Sequence, residues 1–223
     1  MGIAERKERE RELRRSAIID AAEQVFFTKG IETSTMDEIA ELAELSKGTL
    51  YLYFKSKAEL YMAICGRGLS ILHEKFNTDI EGSSNGLDQL RLMGQSYFDF
   101  ARDYPDHFKA TLHYEMNDFE GDIQGSDICS FCQTLGDGLF NLTIVAIQKG
   151  IADGSIRTQH PPKELAVMLW SSMRGIIQLF TMRHRGHNVP ILKEINFDDL
   201  VPHYIDMVIN GLSHSIDEVP LTK

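Results

Sequence analysis

Cysteine is scarce in this 223-residue chain, and the three present, Cys65, Cys129 and Cys132, are too few and too uneven for the disulfide framework of a secreted domain. No stretch approaches the ~18 consecutive apolar residues of a membrane span. The N-terminus is a charged run with no apolar segment behind it, which argues against a signal peptide. A cytoplasmic protein with no membrane partner is therefore expected. Glycine-rich phosphate loops, nucleophile elbows and paired catalytic carboxylates are also missing, so neither an enzyme nor a bound cofactor is expected. Positive charge is in deficit: 23 Lys and Arg stand against 33 Asp and Glu, for a net charge of −10.

A hydrophobic fraction of 43% with 25% charged residues fits a soluble chain that buries a substantial core. Its length favours two domains, with boundaries placed at residues 1–65 and 66–223. The acid excess is uneven. Residues 1–65 carry 10 Lys and Arg against 12 Asp and Glu, whereas residues 66–223 carry 13 against 21. From Leu45 to Ala58 there are three lysines, Lys47, Lys55 and Lys57, and no acid. A nucleic-acid partner is thus compatible with the charge only through one small face.

The run Glu5–Arg15 alternates in sign, with Glu5–Arg9 and Glu10–Arg14 at i,i+4 spacing, and predicts a solvated helical extension. A sharper reading has some of its arginines reaching phosphates or an adjacent groove, against the opposition of the interleaved acids. From Ser16 the pattern becomes amphipathic, with Ile18, Ala22, Val25 and Phe26 on one stripe, and Gly30 is expected to end the helix in a left-handed conformation. Thr35-Met-Asp-Glu38 is a capping box that opens a helix near Met36, with Ile39, Leu42 and Ala43 facing inward. Glu44-Leu45 makes a turn, and Ser46 caps the next helix, which runs to about Tyr53.

Two short helices joined by a tight turn make a helix-turn-helix. At ~100° per residue, Leu50 and Phe54 share one side of the second helix and are the expected anchors. Gly48 and Leu52 then fall opposite, with Lys47 at the N-terminal end and Thr49 and Tyr51 flanking. A lysine donating to guanine, a glycine allowing close approach, a threonine with hydroxyl and methyl, and a leucine against a thymine methyl suit base edges. Lys47, Gly48, Thr49 and Leu52 are accordingly the expected base contacts. A second capping box, Ser56-Lys-Ala-Glu59, opens a fourth helix whose N-terminal amides, with Lys57 and the hydroxyls of Tyr51 and Tyr53, form a phosphate clamp.

The run TSTMDEIAELAELSKGTLYLYFKSKAEL, preceded by AIIDAAEQVFFTKG, resembles the DNA-binding domain of the tetracycline-repressor-like (TetR) family over about residues 14–65. The resemblance implies base or groove contacts from Lys47, Gly48 and Thr49, and phosphate contacts from Thr35, Tyr51, Tyr53 and Lys57. Tyr53 stands where many members have histidine. The resemblance further implies an all-α fold of about nine helices, a three-helix DNA-binding domain followed by a larger ligand-binding and dimerisation domain. It implies a homodimeric repressor that binds double-stranded DNA at a palindromic operator and answers to a small-molecule effector. The alternatives are a DNA-binding regulator without such an effector, and an all-α enzyme that retains the N-terminal fold.

In the remaining chain Gly66 and Gly68 weaken the fourth helix, as either a soft spot or a tolerated defect. Helices are expected over Leu87–Arg102, from Pro105 to about Asn117, over Asp127–Lys149, from Pro162 to Arg185, and from Asn196 onward, with loops at Glu81–Gly86 and Phe119–Ser126. By resemblance, Met93, Phe98, Phe108, Leu112, Met116, Phe131, Phe140, Trp170 and Met173 supply the effector pocket. The resemblance also implies that the last two helices pair across a two-fold axis through Ile176, Phe180, Tyr204, Ile205, Val208 and Leu212, whereas their apolar stripes alone would more often mean internal core. The C-x-x-C of Cys129 and Cys132 reads as buried thiols, and His184 and His187 with Arg183 and Arg185 as cations complementing a helix C-terminus, with no metal site.

Overall fold

The structure is a computed structural model that describes residues 2–116, 125–184, 190 and 194–214. Among these residues it is all-helical: α1 (Ile3–Lys29), α2 (Met36–Leu42), α3 (Lys47–Tyr53), α4 (Lys57–Asp79), α5 (Gly86–Asp103), α6 (Pro105–Met116), α7 (Asp127–Asp153), α8 (Pro162–His184) and α9 (Phe197–Ser213). The chain divides into two compact units, one formed by Met1–Ser70 with Pro105–Leu135, the other by Ile71–Tyr104 with Gly136–Lys223.

In the first unit α1 is continuous, so the charged run and the amphipathic stretch form one helix. Its stripe of Ile18, Ala22, Val25 and Phe26 is buried with Ile39 and Ala40 of α2, Leu50 of α3, Phe54, and Leu60, Tyr61 and Ile64 of α4. Gly30 closes α1 at φ 83°, ψ 156°, not in the left-handed helical region but in a region essentially reserved for glycine. Ile31 then packs back against the core. Leu42, expected to face inward, is 47% exposed: α2 is too short to bury both ends of its stripe.

α4 runs unbroken through Gly66 and Gly68, and the packing explains both. A Cβ on Gly66 would lie 3.2 Å from Cys132 Sγ and from the Phe131 ring, and one on Gly68 would lie 3.2 Å from His107 Cβ. These glycines seat neighbouring helices and are not soft spots. Around them, α1, α4 and α6 share a nearly buried charge cluster. Glu23 Oε1 accepts from Arg67 at 2.9 Å and lies 3.0 Å from His107 Nε2, while Arg67 also reaches Asp20 at 2.7 Å.

In the second unit α5 buries Leu90, Met93, Tyr97, Phe98 and Phe100 and packs on α8 and α9. Its N-terminus is capped twice: Asp88 N–H donates to Asn85 Oδ1 at 2.8 Å, and Gly86 N–H donates to Asp153 Oδ2 at 2.9 Å. Hydrogen bonds from Ser155 and Gly86 hold the Asp153 carboxyl below its ordinary pKa. α7 runs to Asp153, four residues beyond the expected Lys149, and turns at Gly154 with φ 78°. α9 carries Pro202 in its interior, a residue the helical pattern alone did not flag. The expected loop Phe119–Ser126 lies largely outside the described residues.

One contact is strict enough to test. A Cβ on Gly86 would stand 2.1 Å from Gly150 N and 2.4 Å from Ala146 O, both backbone atoms, whereas one on Gly136 meets nothing within 4 Å. Gly86→Ala should lower the unfolding free energy by about 1–3 kcal/mol or more. Gly136→Ala, mid-helix and open, should raise it by about 0.5–1 kcal/mol; denaturant melts of the two variants side by side check both signs.

Candidate nucleic-acid interface

α2 opens on a reciprocal cap. Glu38 N–H donates to Thr35 Oγ1 at 3.3 Å, and Thr35 N–H donates to Glu38 Oε2 at 3.0 Å. Lys29 holds the same carboxylate at 2.5 Å, and that bond, followed by the Thr35 cap, lowers the Glu38 pKa. The turn is closed by Leu45 N–H donating to Ala40 O at 2.9 Å. It requires φ 56° at Glu44, the one non-glycine residue with positive φ among those described. Ser46 then caps α3, accepting from Thr49 N–H at 3.1 Å.

Two buried side chains fix the rotation of α3 about its axis: Leu50 is 0% and Phe54 1% exposed. The opposite side is open. Leu52 is 83% exposed, Gly48 is exposed, Tyr51 is 40% exposed, and Thr49 and Tyr53 are half-buried. The burial of Leu50 and Phe54 opposite the exposed Gly48 and Leu52 matches the phase read from the sequence. Lys47 stands at its first turn, 2.7 Å from Asp37 of α2, and that partner raises its pKa. Both side chains are more than half exposed, so the pair is solvated and weak. Asp37 was not singled out in the sequence, because a capping-box interior residue gives no sign of a partner ten positions on.

Two residues expected at phosphates are already occupied. The Thr35 hydroxyl serves the α2 cap, also donating to Glu38 Oε2 at 3.1 Å. Lys57 donates to the carbonyls of Glu32 at 3.2 Å and Ser34 at 3.0 Å, tying the segment before α2 to the start of α4. The second cap departs from the reciprocal pattern: Glu59 N–H donates to Ser56 Oγ at 3.1 Å, but the Glu59 carboxylate accepts from Lys55 N–H at 2.6 Å, one residue upstream of the cap.

The residues expected to line an effector pocket are drawn from both compact units. Phe108, Leu112 and Phe131 fall in the first unit, where Phe108 is fully buried and Phe131 is 47% exposed. Met116 also falls there, with its side chain outside the described residues. Met93, Phe98 and Met173 are buried in the second unit, where Phe140 and Trp170 are half-buried with ring centroids 5.0 Å apart. Of the expected dimer contacts, Ile205 is buried inside this chain's own core, 3.4 Å from a Cβ built on Gly94 of α5. Tyr204 bonds Ser172, and the Leu212 carbonyl accepts from Arg157 N–H at 2.7 Å. Ile176, Val208 and Leu212 are half-buried, and the Phe180 side chain lies outside the described residues.

Cys132 donates to Met62 O at 3.4 Å, and burial pushes its pKa up to about 12, which keeps the thiol protonated. Among the described residues no three His, Cys, Asp or Glu side chains are grouped as metal ligands. Arg185 and His187 lie outside the described residues, as do the side chains of Arg183 and His184. α7 contains an 18-residue window apolar enough for a membrane span by length and composition, a property shared by core helices of soluble proteins.

A short helix locked by two apolar anchors, preceded by a capped helix and a tight turn, and presenting Lys47, Gly48 and Leu52 outward, is the arrangement of a helix-turn-helix DNA-binding regulator. Residues 18–64 match the model described as bacterial regulatory proteins, tetR family. The chain is 28% identical over 214 residues to the HTH-type transcriptional activator FasR of Mycolicibacterium smegmatis, covering 96% of this chain and 87% of that one. Its fold is similar to that of the transcriptional regulator FadR from Bacillus subtilis solved with stearoyl-CoA (TM-score 0.68, 19% identity, 88% of this chain and 98% of that one). It is also similar to AibR solved with isovaleryl coenzyme A and operator DNA (TM-score 0.64, 18% identity, 90% and 98%). Residues 18–64 therefore carry a DNA-binding domain of the TetR family of transcriptional regulators.

The hydrogen bonds of Lys57 lead to a prediction that separates structure from recognition. Lys57→Ala should cost about 1.5–3 kcal/mol of stability, the range for hydrogen bonds to a charged group. Lys55→Ala, which removes an exposed cation, should leave stability unchanged and lower the salt slope of DNA binding by ~0.9. Chemical denaturation and a salt titration read the two effects independently; a stable Lys57→Ala with a slope reduced by about one would return Lys57 to the phosphate clamp.

Proposed function

We propose that this protein is a homodimeric, ligand-responsive transcriptional repressor that reads a palindromic operator with α3 and is released from it by an acyl-coenzyme A thioester. The observation that carries the DNA reading is the exposure of Leu52, opposite the buried Leu50 and Phe54. An 83%-exposed leucine costs apolar hydration in the free protein and gains a partner against a thymine methyl. In this reading Lys47, Gly48, Thr49 and Leu52 contact bases. On approaching the groove, Lys47 exchanges its solvated pair with Asp37 for a guanine edge. Tyr51 and Tyr53 hold phosphates, and Thr35 and Lys57 hold the loop and helix ends that aim α3.

Residues 1–65 form the DNA-binding domain in this proposal, and residues 66–223 the effector and dimerisation domain. The acyl-thioester assignment is supported by the stearoyl-CoA and isovaleryl coenzyme A held by FadR and AibR, proteins of the same fold. The apolar interior of the second unit, with Met93, Phe98 and Met173, has the character such a chain requires. For the dimer, exposed apolar side chains are available on α7 (Val145, Ile151), α8 (Val167, Met168, Leu179) and α9 (Met207), while Ile205 of α9 is spent on α5. Cytoplasmic residence follows from the role.

Selection of bound DNA from a random pool should return a palindrome. Leu52→Ala and Lys47→Ala should each relax discrimination at one or two base pairs per half-site, costing about 1–3 kcal/mol against the selected site. On that site, long-chain acyl-CoA should release the protein, while free coenzyme A should not. A selected palindrome from which no acyl-CoA of any chain length releases the protein would leave the DNA reading intact and remove the effector assignment.

A further inference from the structure

α1 starts at Ile3, far ahead of its first buried residue, Ile18, and residues 2–14 are exposed. Along that extension Lys7, Arg11, Arg14 and Arg15 stand at i, i+4, i+7 and i+8. The same spacing recurs eleven residues later as Ile18, Ala22, Val25 and Phe26, all buried. Eleven residues turn a helix by ~1100°, which is three turns plus ~20°. The cationic stripe and the apolar stripe therefore share one face. Arg15, where the two stripes meet, shows what that face looks onto: its guanidinium lies 5.1 Å from the ring centroid of Phe54, the residue that closes α3.

The interleaved acids do not cancel this stripe. Glu5, Glu8 and Glu12 fall on an adjoining face, ~80–140° around the axis by the same count. Glu5 is engaged by Gly2 N–H at 2.8 Å. Glu10 meets Arg14 at 3.6 Å, with both side chains largely in water, a pair that a phosphate can displace. A sequence that alternates in sign is thus segregated once it is wound.

Resting on the reading of α3 given above, we propose that the N-terminal extension of α1 is a second DNA-contacting element, in which Lys7, Arg11 and Arg14 neutralise phosphates of the duplex flanking the segment read by α3. The extension continues a helix already nucleated by the packed core, so little ordering is needed on binding. From Ile3 to Arg14 it reaches ~16 Å, along a duplex that carries one charge per ~1.7 Å of axis. Its contacts add affinity and orientation and carry no sequence preference of their own. They also help an acidic protein hold DNA through one face.

The test uses the full-length protein and the operator obtained by selection, on one fragment ending flush with the site and another extended by about ten base pairs on each side. On the long fragment, Lys7→Ala/Arg11→Ala/Arg14→Ala should lower the salt slope by roughly 2–3 per subunit, with base preference and thermal melting unchanged. On the flush fragment this variant and the unmodified protein should converge. Arg6→Ala/Arg9→Ala, which removes cations outside the stripe, should change the slope by well under one. Equal slopes for the triple variant and the unmodified protein on the long fragment overturn the proposal, as does an equal loss per charge from the off-stripe pair. Loss of operator binding in Leu52→Ala with these slopes unmoved keeps α3 as reader and discards the extension alone; absence of any DNA binding by the unmodified protein discards both.

Discussion

A helix of seven residues does not persist on its own in water, because nucleation fixes several backbone dihedrals for each hydrogen bond gained. α3 exists because Leu50 and Phe54 are sealed into a core supplied by α1, α2 and α4, and because Ser46 satisfies the Thr49 amide of its first turn. That burial does more than stabilise. With two anchors four residues apart, the rotation of the helix is fixed, and with it the identity of every residue that faces outward. Recognition in this protein is a by-product of packing phase: once Leu50 and Phe54 are inside, Gly48 and Leu52 have nowhere to go but out.

The parts of this arrangement governed by short-range rules were legible in the sequence. The Thr35 and Ser46 caps, the anchors Leu50 and Phe54, the proline starts of α6 and α8 and the exposed Leu52 all follow from spacing within one or two helical turns. What was not legible depended on partners far apart in the chain. The bonds of Lys57 to the carbonyls of Glu32 and Ser34, more than twenty positions away, give no sign in the local spacing. Gly66 and Gly68 read as weak points in α4 until Phe131, Cys132 and His107 are found against them. Ile205 lies on an apolar stripe that serves a partner subunit or an internal helix equally well, and only the position of Gly94 in α5 decides for the latter. Phe108 and Met93 look alike as buried apolar residues, yet belong to different compact units.

The electrostatics follow a related pattern. Several cations in the first unit are matched to acids: Lys47 to Asp37, Lys29 to Glu38, Arg14 to Glu10, Arg67 to Asp20 and Glu23. The pairs differ in depth. Lys47–Asp37 and Arg14–Glu10 are solvated and weakly held, so a phosphate or base competes with the carboxylate on nearly equal terms. A net charge of −10 weakens general attraction for DNA and leaves binding to a local cationic face.

The deeper cluster behaves differently. Glu23 is shared between Arg67 of α4 and His107 of α6, with all three side chains less than one-third exposed, so removing either partner leaves a nearly buried carboxylate short of compensation. The close seats at Gly66 and Gly68 add steric constraint at the same junction. α1, α4 and α6 are therefore locked to one another along α1, while the solvated Arg14–Glu10 pair lies nearer its N-terminus. A body built this way resists internal rearrangement, and the anchors of α3 are part of the core that α1 and α4 supply.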